Sequence, residues 1–308
     1  MIAAPVIAVT AAENQELESG TSADGIGWLS WWPVPAAVAA LMIFAWIPDF
    51  RLRRPRLRLW PFSPMAGFIL FMTALLGGLV ASRIAWSLAG GGSTVEETDL
   101  AIPSDLRSMV FMMMGNYIGQ GVVLLLVPGL ILGAVRPADS TRPPFSWWRA
   151  VLAGTGGMIL FWPLVLGAGL LAGVVITLMT GRELPEIAHV TLVQLQAAAN
   201  NPDAWFIMML IMIVMVTPVL EEFMYRGLLQ ESIRRLPGLV NESPWIAIAL
   251  TSIIFAVMHG AVVDQRGLVA LIVLSMGFGW VALRTGRLLS CMVMHGLFNL
   301  LNLLQVLA

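Results

Sequence analysis

The 308-residue sequence predicts an all-α, polytopic membrane protein with about eight transmembrane helices. Three observations lead there. Apolar residues make up 58% and charged residues 11%, with a mean hydropathy of +0.86, whereas a soluble globular chain carries about 25% charged residues to solvate its surface. Apolar runs near the ~20 residues that cross a bilayer recur eight times. Arginine falls in alternate connections between those runs. The formal charge of −1, from 17 basic and 18 acidic residues, excludes the strongly basic balance of a nucleic-acid binder. Every basic residue is arginine, so Schiff-base and P-loop lysine chemistry are absent. Single Cys291 excludes an internal disulfide, a CxxC pair and a multi-cysteine metal site.

Taken in order, residues 1–27 read as a mobile tail. Its apolar opening, Met1–Ala12, is too short to span and lacks the positive n-region of a signal peptide. The runs then fall at about 28–47, 63–82, 108–135, 150–180, 204–229, 244–263, 267–283 and 288–307. The third and fourth are long enough to tilt, or to break at Pro128 and Pro163. Continuous runs, rather than alternation, exclude a membrane barrel. On this reading, 28–200 forms an N-terminal set of membrane helices and 201–308 a separate domain.

Arg51, Arg53, Arg54, Arg56 and Arg58 crowd the first connection. Arg136, Arg142 and Arg149 mark the third, Arg234 and Arg235 the fifth, and Arg284 and Arg287 the seventh. Connections two and four instead hold Glu96, Glu97, Asp99, Asp105, Glu183 and Glu186. The positive-inside rule then puts the odd connections in the cytoplasm and both termini outside. Trp28, Trp31, Trp32, Trp60, Trp147, Trp148, Trp205 and Trp245 fall near the run ends, as interfacial aromatics do. Gly115 and Gly119, Gly154 and Gly157, Gly167 and Gly169, and Gly277 and Gly279 read as close helix contacts. The 19 Met read as lipid-facing or gap-filling residues.

Ionisable groups at membrane depth cost about 2.5–3.5 kcal/mol each on insertion scales, so each asks for a reason. Runs one to four hold few polar residues. Asn116, Tyr117 and Gln120 on the third are the main cluster, and helix–helix hydrogen bonding accounts for them. The fifth run carries Glu221 and Glu222 together with Arg226. Glu222 and Arg226, four apart with Glu on the N-terminal side, can pair along one face, while Glu221 lies about 100° further round. Pro218 loosens the helix one turn earlier. Charges snorkelling out of a helix end would explain Arg226, and two adjacent acids less well. His259 in the sixth run would, alone, be a packing histidine. In the eighth, His295 and Asn299 share a face, continued by Asn302. A carboxylate and two imidazoles on three helices can activate a water or bind one metal ion.

Glu221-Glu222-Phe-Met-Tyr-Arg226, Phe255-Ala-Val-Met-His259 and His295-Gly-Leu-Phe-Asn299 resemble, in order and without departure, the EExxxR, FxxxH and HxxxN motifs of the CAAX protease and bacteriocin-processing family. That family of intramembrane endopeptidases includes the Ras-converting CAAX endopeptidase. Gly277–Gly286 also looks like the family's, and the resemblance covers about 204–305. It implies that the last four helices form a catalytic core, in the inner membrane of a bacterium, hydrolysing a peptide bond. Glu221 would activate water, Glu222 and Arg226 would hold the constellation, and His259 would share or orient the water. His295 and Asn299 would stabilise the oxyanion. No cofactor is then required. The alternative is zinc on Glu221, His259 and His295, although the soluble HExxH spacing is absent. Implied partners are membrane lipids and a protein or peptide substrate arriving from the bilayer or the cytoplasmic side. Two other readings stay open: a transporter or scaffold, disfavoured because runs one to four show no matching half, and a family member that binds helices without cutting.

Overall fold

A computed structural model describes residues 33–46, 63–90, 105–131, 146–181, 189–236 and 243–307. The tail at 1–27, the arginines of 51–58, and Trp28, Trp31, Trp32 and Trp60 lie outside these residues. Nine helices run in chain order among the described residues: α1 (Pro33–Trp46), α2 (Pro64–Leu88), α3 (Leu106–Ile131), α4 (Trp147–Thr180), α5 (Val190–Ala198), α6 (Ala204–Arg234), α7 (Pro244–Met258), α8 (Gln265–Thr285) and α9 (Leu288–Leu307). The described residues form no strand, only an isolated antiparallel bridge between His189 and Val263.

Local chemistry starts and stops these helices where their ends need partners. The Ser63, Asp203, Ser243 and Asp264 side chains accept from the first-turn N–H groups of α2, α6, α7 and α8, satisfying donors that a helix leaves orphaned. α4 and α8 end on Gly181 and Gly286 at φ 65° and 70°, the left-handed region open to glycine. α3 and α4 run through Pro128 and Pro163 without breaking.

Six helices (α2, α3, α4, α6, α8 and α9) are long and apolar enough to cross a membrane, and this is an integral membrane protein. The other two expected runs carry shorter apolar helices, α1 and α7, with 14 and 15 described residues, and the expected count of eight is not confirmed. At 1.5 Å per residue α7 reaches about 23 Å, short of a ~30 Å hydrocarbon core. For α7 the reason is local: the apolar run continues to Val263, but the chain leaves the helix at His259 and turns back into α8.

Helix α6 is central. On one side α2 covers it, with Leu70, Phe71 and Ala74 packed among Met224, Tyr225 and Leu228. On another, α3, α5 and α9 enclose Phe206, Met209 and Met212. α4, α7, α8 and α9 form a third cluster around Phe278, Val281 and Met294. In lipid such contacts are held by close packing rather than by escape from water, which favours small residues at crossings. At Gly119 a side chain would collide with the Gly77 carbonyl of α2, so the two backbones touch there.

Candidate active site

The site grows from an irregularity in α6. Met212–Val216 winds as π-helix, with Thr217 N–H bonded to the Met212 carbonyl five residues back. In that register the next carbonyl, Ile213, faces Pro218, which has no N–H to give. Asn299 on α9 supplies the missing donor, its Nδ2 lying 2.7 Å from the Ile213 oxygen. One turn away on α9, a Cβ on Gly296 would sit 2.9 Å from the Val214 oxygen, so glycine is what lets α9 reach the kink. Tyr117 of α3 closes the other side, its hydroxyl 2.6 Å from Thr217 Oγ1.

Glu222, just past the kink, is fully buried. Its Oε1 accepts from Arg226 Nη1 at 3.0 Å and from His295 Nδ1 at 2.9 Å. Arg226 is also fully buried. Its Nη2 donates to the Ser275 carbonyl and hydroxyl of α8, and its guanidinium lies between the rings of Phe255 and Phe278, 4.9 and 5.0 Å from their centroids. A buried charge is tolerable when paired and hydrogen-bonded, and cation–π contact adds to that. His295 is further clamped by stacking on Phe278 at 4.8 Å. Since a carboxylate only accepts, His295 donates from Nδ1 and turns Nε2 away from Glu222.

Glu221 is different. Its side chain keeps 18% of its surface exposed, and Oε1 lies 3.9 Å from His259 Nε2. Its Oε2 is buried with no hydrogen-bond partner among the described residues. His259 sits at the C-terminal cap of α7, not inside a helix as the apolar run suggested. At this cap the His259 N–H bonds to the Ala256 carbonyl, which leaves the Phe255 carbonyl for the ring, 2.7 Å from Nδ1. A carbonyl cannot donate, so Nδ1 carries a proton, and in the neutral form of the ring Nε2 presents its lone pair to Glu221. The 3.9 Å separation is too long for a direct hydrogen bond and suits one shared oxygen at about 2.8 Å from each.

With this geometry in hand, the comparison with protein families is specific: residues 203–301 match the type II CAAX prenyl endopeptidase Rce1-like family. That similarity covers about the last third of the chain. Comparison with curated proteins and with solved structures returns no match.

The Rce1-like domain gathers all six residues singled out by sequence: Glu221, Glu222, Arg226, His259, His295 and Asn299. Five of them divide into a closed network (Glu222, Arg226, His295) and an open pair (Glu221, His259), joined by Phe255, whose ring lies 4.5 Å from that of His259 and 6.2 Å from that of His295, while Asn299 sits at the kink on the Ile213 carbonyl. Among the described residues no three His, Cys, Asp or Glu side chains form a metal-holding group. Three contributors were not foreseen. Ser275 looks like an ordinary small helix residue until Arg226 is seen on it. Tyr117 was read as a generic helix-to-helix contact, yet it braces the helix bearing the acids. His189 packs beside the cap that carries His259.

Proposed function

We propose that this protein is an intramembrane endopeptidase that hydrolyses a peptide bond of a membrane-associated, lipidated or leader-bearing protein. The observation that carries this reading is the gap between Glu221 Oε1 and the lone pair of His259 Nε2. A water in it donates one hydrogen to each group and keeps its oxygen lone pairs for a substrate carbonyl. Glu221 takes a proton as the oxygen–carbon bond forms, and returns it to the leaving amine when the carbon–nitrogen bond breaks. Charge on the former carbonyl oxygen needs donors. Asn299 has a second amide hydrogen beyond the one spent on Ile213. His295, whose Nδ1–H is spent on Glu222, contributes Nε2–H when doubly protonated.

On this reading no cofactor takes part, and the partners are membrane lipids and the protein substrate, without nucleic acid. The arginine distribution supports an orientation with both termini outside, and the reading places the protein in a bacterial inner membrane. The test compares the membrane proteomes of cells carrying the wild type and Glu221→Gln. A precursor that accumulates intact only in the variant is the expected result, whereas identical proteomes and no cleavage by purified wild type would remove the peptidase reading. A second test addresses zinc. Activity should persist after treatment with a chelator to substoichiometric metal, and loss that returns with added zinc would move Glu221 and His259 from water activation to metal binding.

A further inference from the structure

Of the three histidines in the chain, the mechanism above uses two. The third, His189, comes from outside the 203–301 segment, at the start of α5. Its backbone is pinned to the turn that follows His259: Val190 N–H bonds to the Val262 carbonyl at 3.0 Å, and His189 bridges to Val263. Val262 and Val263 in turn donate to the His259 carbonyl, both at 3.0 Å. His189 is thereby held against the same turn that sets the position of His259.

Its ring is oriented too. Nδ1 accepts from Thr191 N–H at 3.1 Å, capping α5. An accepting Nδ1 is unprotonated, so the neutral ring carries its hydrogen on Nε2. Burial, with the neighbouring His259 as a second cause, pushes the His189 pKa down to about 4, in keeping with that neutral form. The two imidazoles therefore have opposite tautomers: His259 accepts through Nε2, and His189 donates through Nε2. Capping needs only one acceptor, which Ser, Thr, Asn or Asp supply better than His. The distal N–H is surplus to the cap, on a residue whose backbone is pinned to the turn that follows His259.

We propose that His189 is a substrate-binding residue, whose Nε2–H donates to a carbonyl of the peptide bound across the Glu221–His259 gap. This rests on the peptidase reading, and it assigns part of the site to the N-terminal two-thirds of the chain. A neutral donor suits the task because it binds a carbonyl without placing a fixed charge beside Glu221.

The cap and the donor can be separated by substitution. His189→Asn keeps an accepting oxygen for Thr191 and removes the distal donor, while His189→Gln keeps a donor at nearly the reach of Nε2 and caps poorly. With the full chain in proteoliposomes and a farnesylated CAAX peptide as probe, His189→Asn should unfold at the wild-type temperature. Its KM should rise about tenfold with kcat little changed, the cost of one lost hydrogen bond, and His189→Gln should recover most of that KM. Wild-type KM in His189→Asn would reduce His189 to a cap and overturn the inference. A second measurement does not depend on turnover. With only three histidines, 15N-labelled imidazoles resolve individually. In Glu221→Gln protein His189 should show the Nε2–H tautomer, and that resonance should move on adding the probe. An Nδ1–H tautomer, or a ring unmoved by bound probe, overturns the inference. Absence of wild-type cleavage with a probe-sensitive His189 instead counts against the peptidase reading alone.

Discussion

Glu222 and Glu221 are neighbours on one helix and live in opposite surroundings. Around Glu222 the space is fully buried, and Arg226 and His295 both donate to one of its oxygens. Both acids leave Oε2 without a hydrogen-bond partner among the described residues, but around Glu221 the side chain stays part-exposed and Oε1 faces His259 across 3.9 Å, too far for a direct hydrogen bond. The difference teaches how a membrane helix carries two acids. One is neutralised and serves as a scaffold, fixing the helix against α8 and α9. The other is left without a direct hydrogen bond, and on the proposed peptidase reading this carboxylate beside an accepting imidazole binds and deprotonates water.

If that contrast is right, substitution at the two positions should separate activity from stability. The largest effect is expected for Glu221→Gln: a fall in cleavage of about 10²–10⁴-fold, the usual contribution of a general base, with unfolding changed by no more than about 0.5 kcal/mol. A Glu221 variant that is mainly unstable would erase the distinction. On the other side, Arg226→Met strands the Glu222 charge and should destabilise by about 3–5 kcal/mol, as breaking a buried pair does. Unfolding in bilayers or mild detergent measures it. Adding Glu222→Gln should return part of that loss, and a double variant no better than the single one would show that the pairing is not what matters.

A smaller effect tests the seam between the two regions. Asn299→Ala leaves the Ile213 carbonyl without a donor, which should cost about 1–3 kcal/mol. Pro218→Ala restores an N–H in the register of that carbonyl. It should therefore recover stability in the Asn299→Ala background without restoring activity, if the second Asn299 hydrogen serves the oxyanion. Recovery of both would make Asn299 a brace and nothing more. The smallest effect is expected for Tyr117→Phe, about 0.6 kcal/mol for one interhelical hydrogen bond in a membrane, readable as a slight loss of thermal stability with cleavage retained.

Much of this was legible in the sequence for a plain reason: apolar length and misplaced charge are strong signals in a membrane chain. The runs at 63–82, 108–135, 150–180, 204–229, 267–283 and 288–307 all fall on helices long and apolar enough to span a membrane, and the acid and histidine motifs meet. What could not be read depends on backbone register and on partners far along the chain. Nothing in Met212–Val216 marks a π turn, since the same side chains suit an α-helix. Ending α7 at Met258 depends on the His259 ring taking over the Phe255 carbonyl, a three-dimensional event inside an unbroken apolar run. Ser275, Tyr117 and His189 lack any local pattern, because each acquires its role from a residue 49, 100 or 70 positions away.

The widened turns of α6 carry a last consequence, for the counting of residues rather than their identity. The acids lie between two π segments, Met212–Val216 and Phe223–Gln230, and each acts like an extra residue wound into an otherwise α-helical rod. Deleting one residue within 212–216 lets this turn relax to ordinary pitch and keeps the two ends nearly in phase, because the widened turn had absorbed the residue that is lost. Phe206 and Met209 then stay on the α3–α5–α9 cluster and the acids stay on His259 and His295, whereas the same deletion in a regular turn of the helix swings one end by about 100°. Chimaeras that exchange the first half of this helix tolerate the loss of one residue at the widened turn and nowhere else in it.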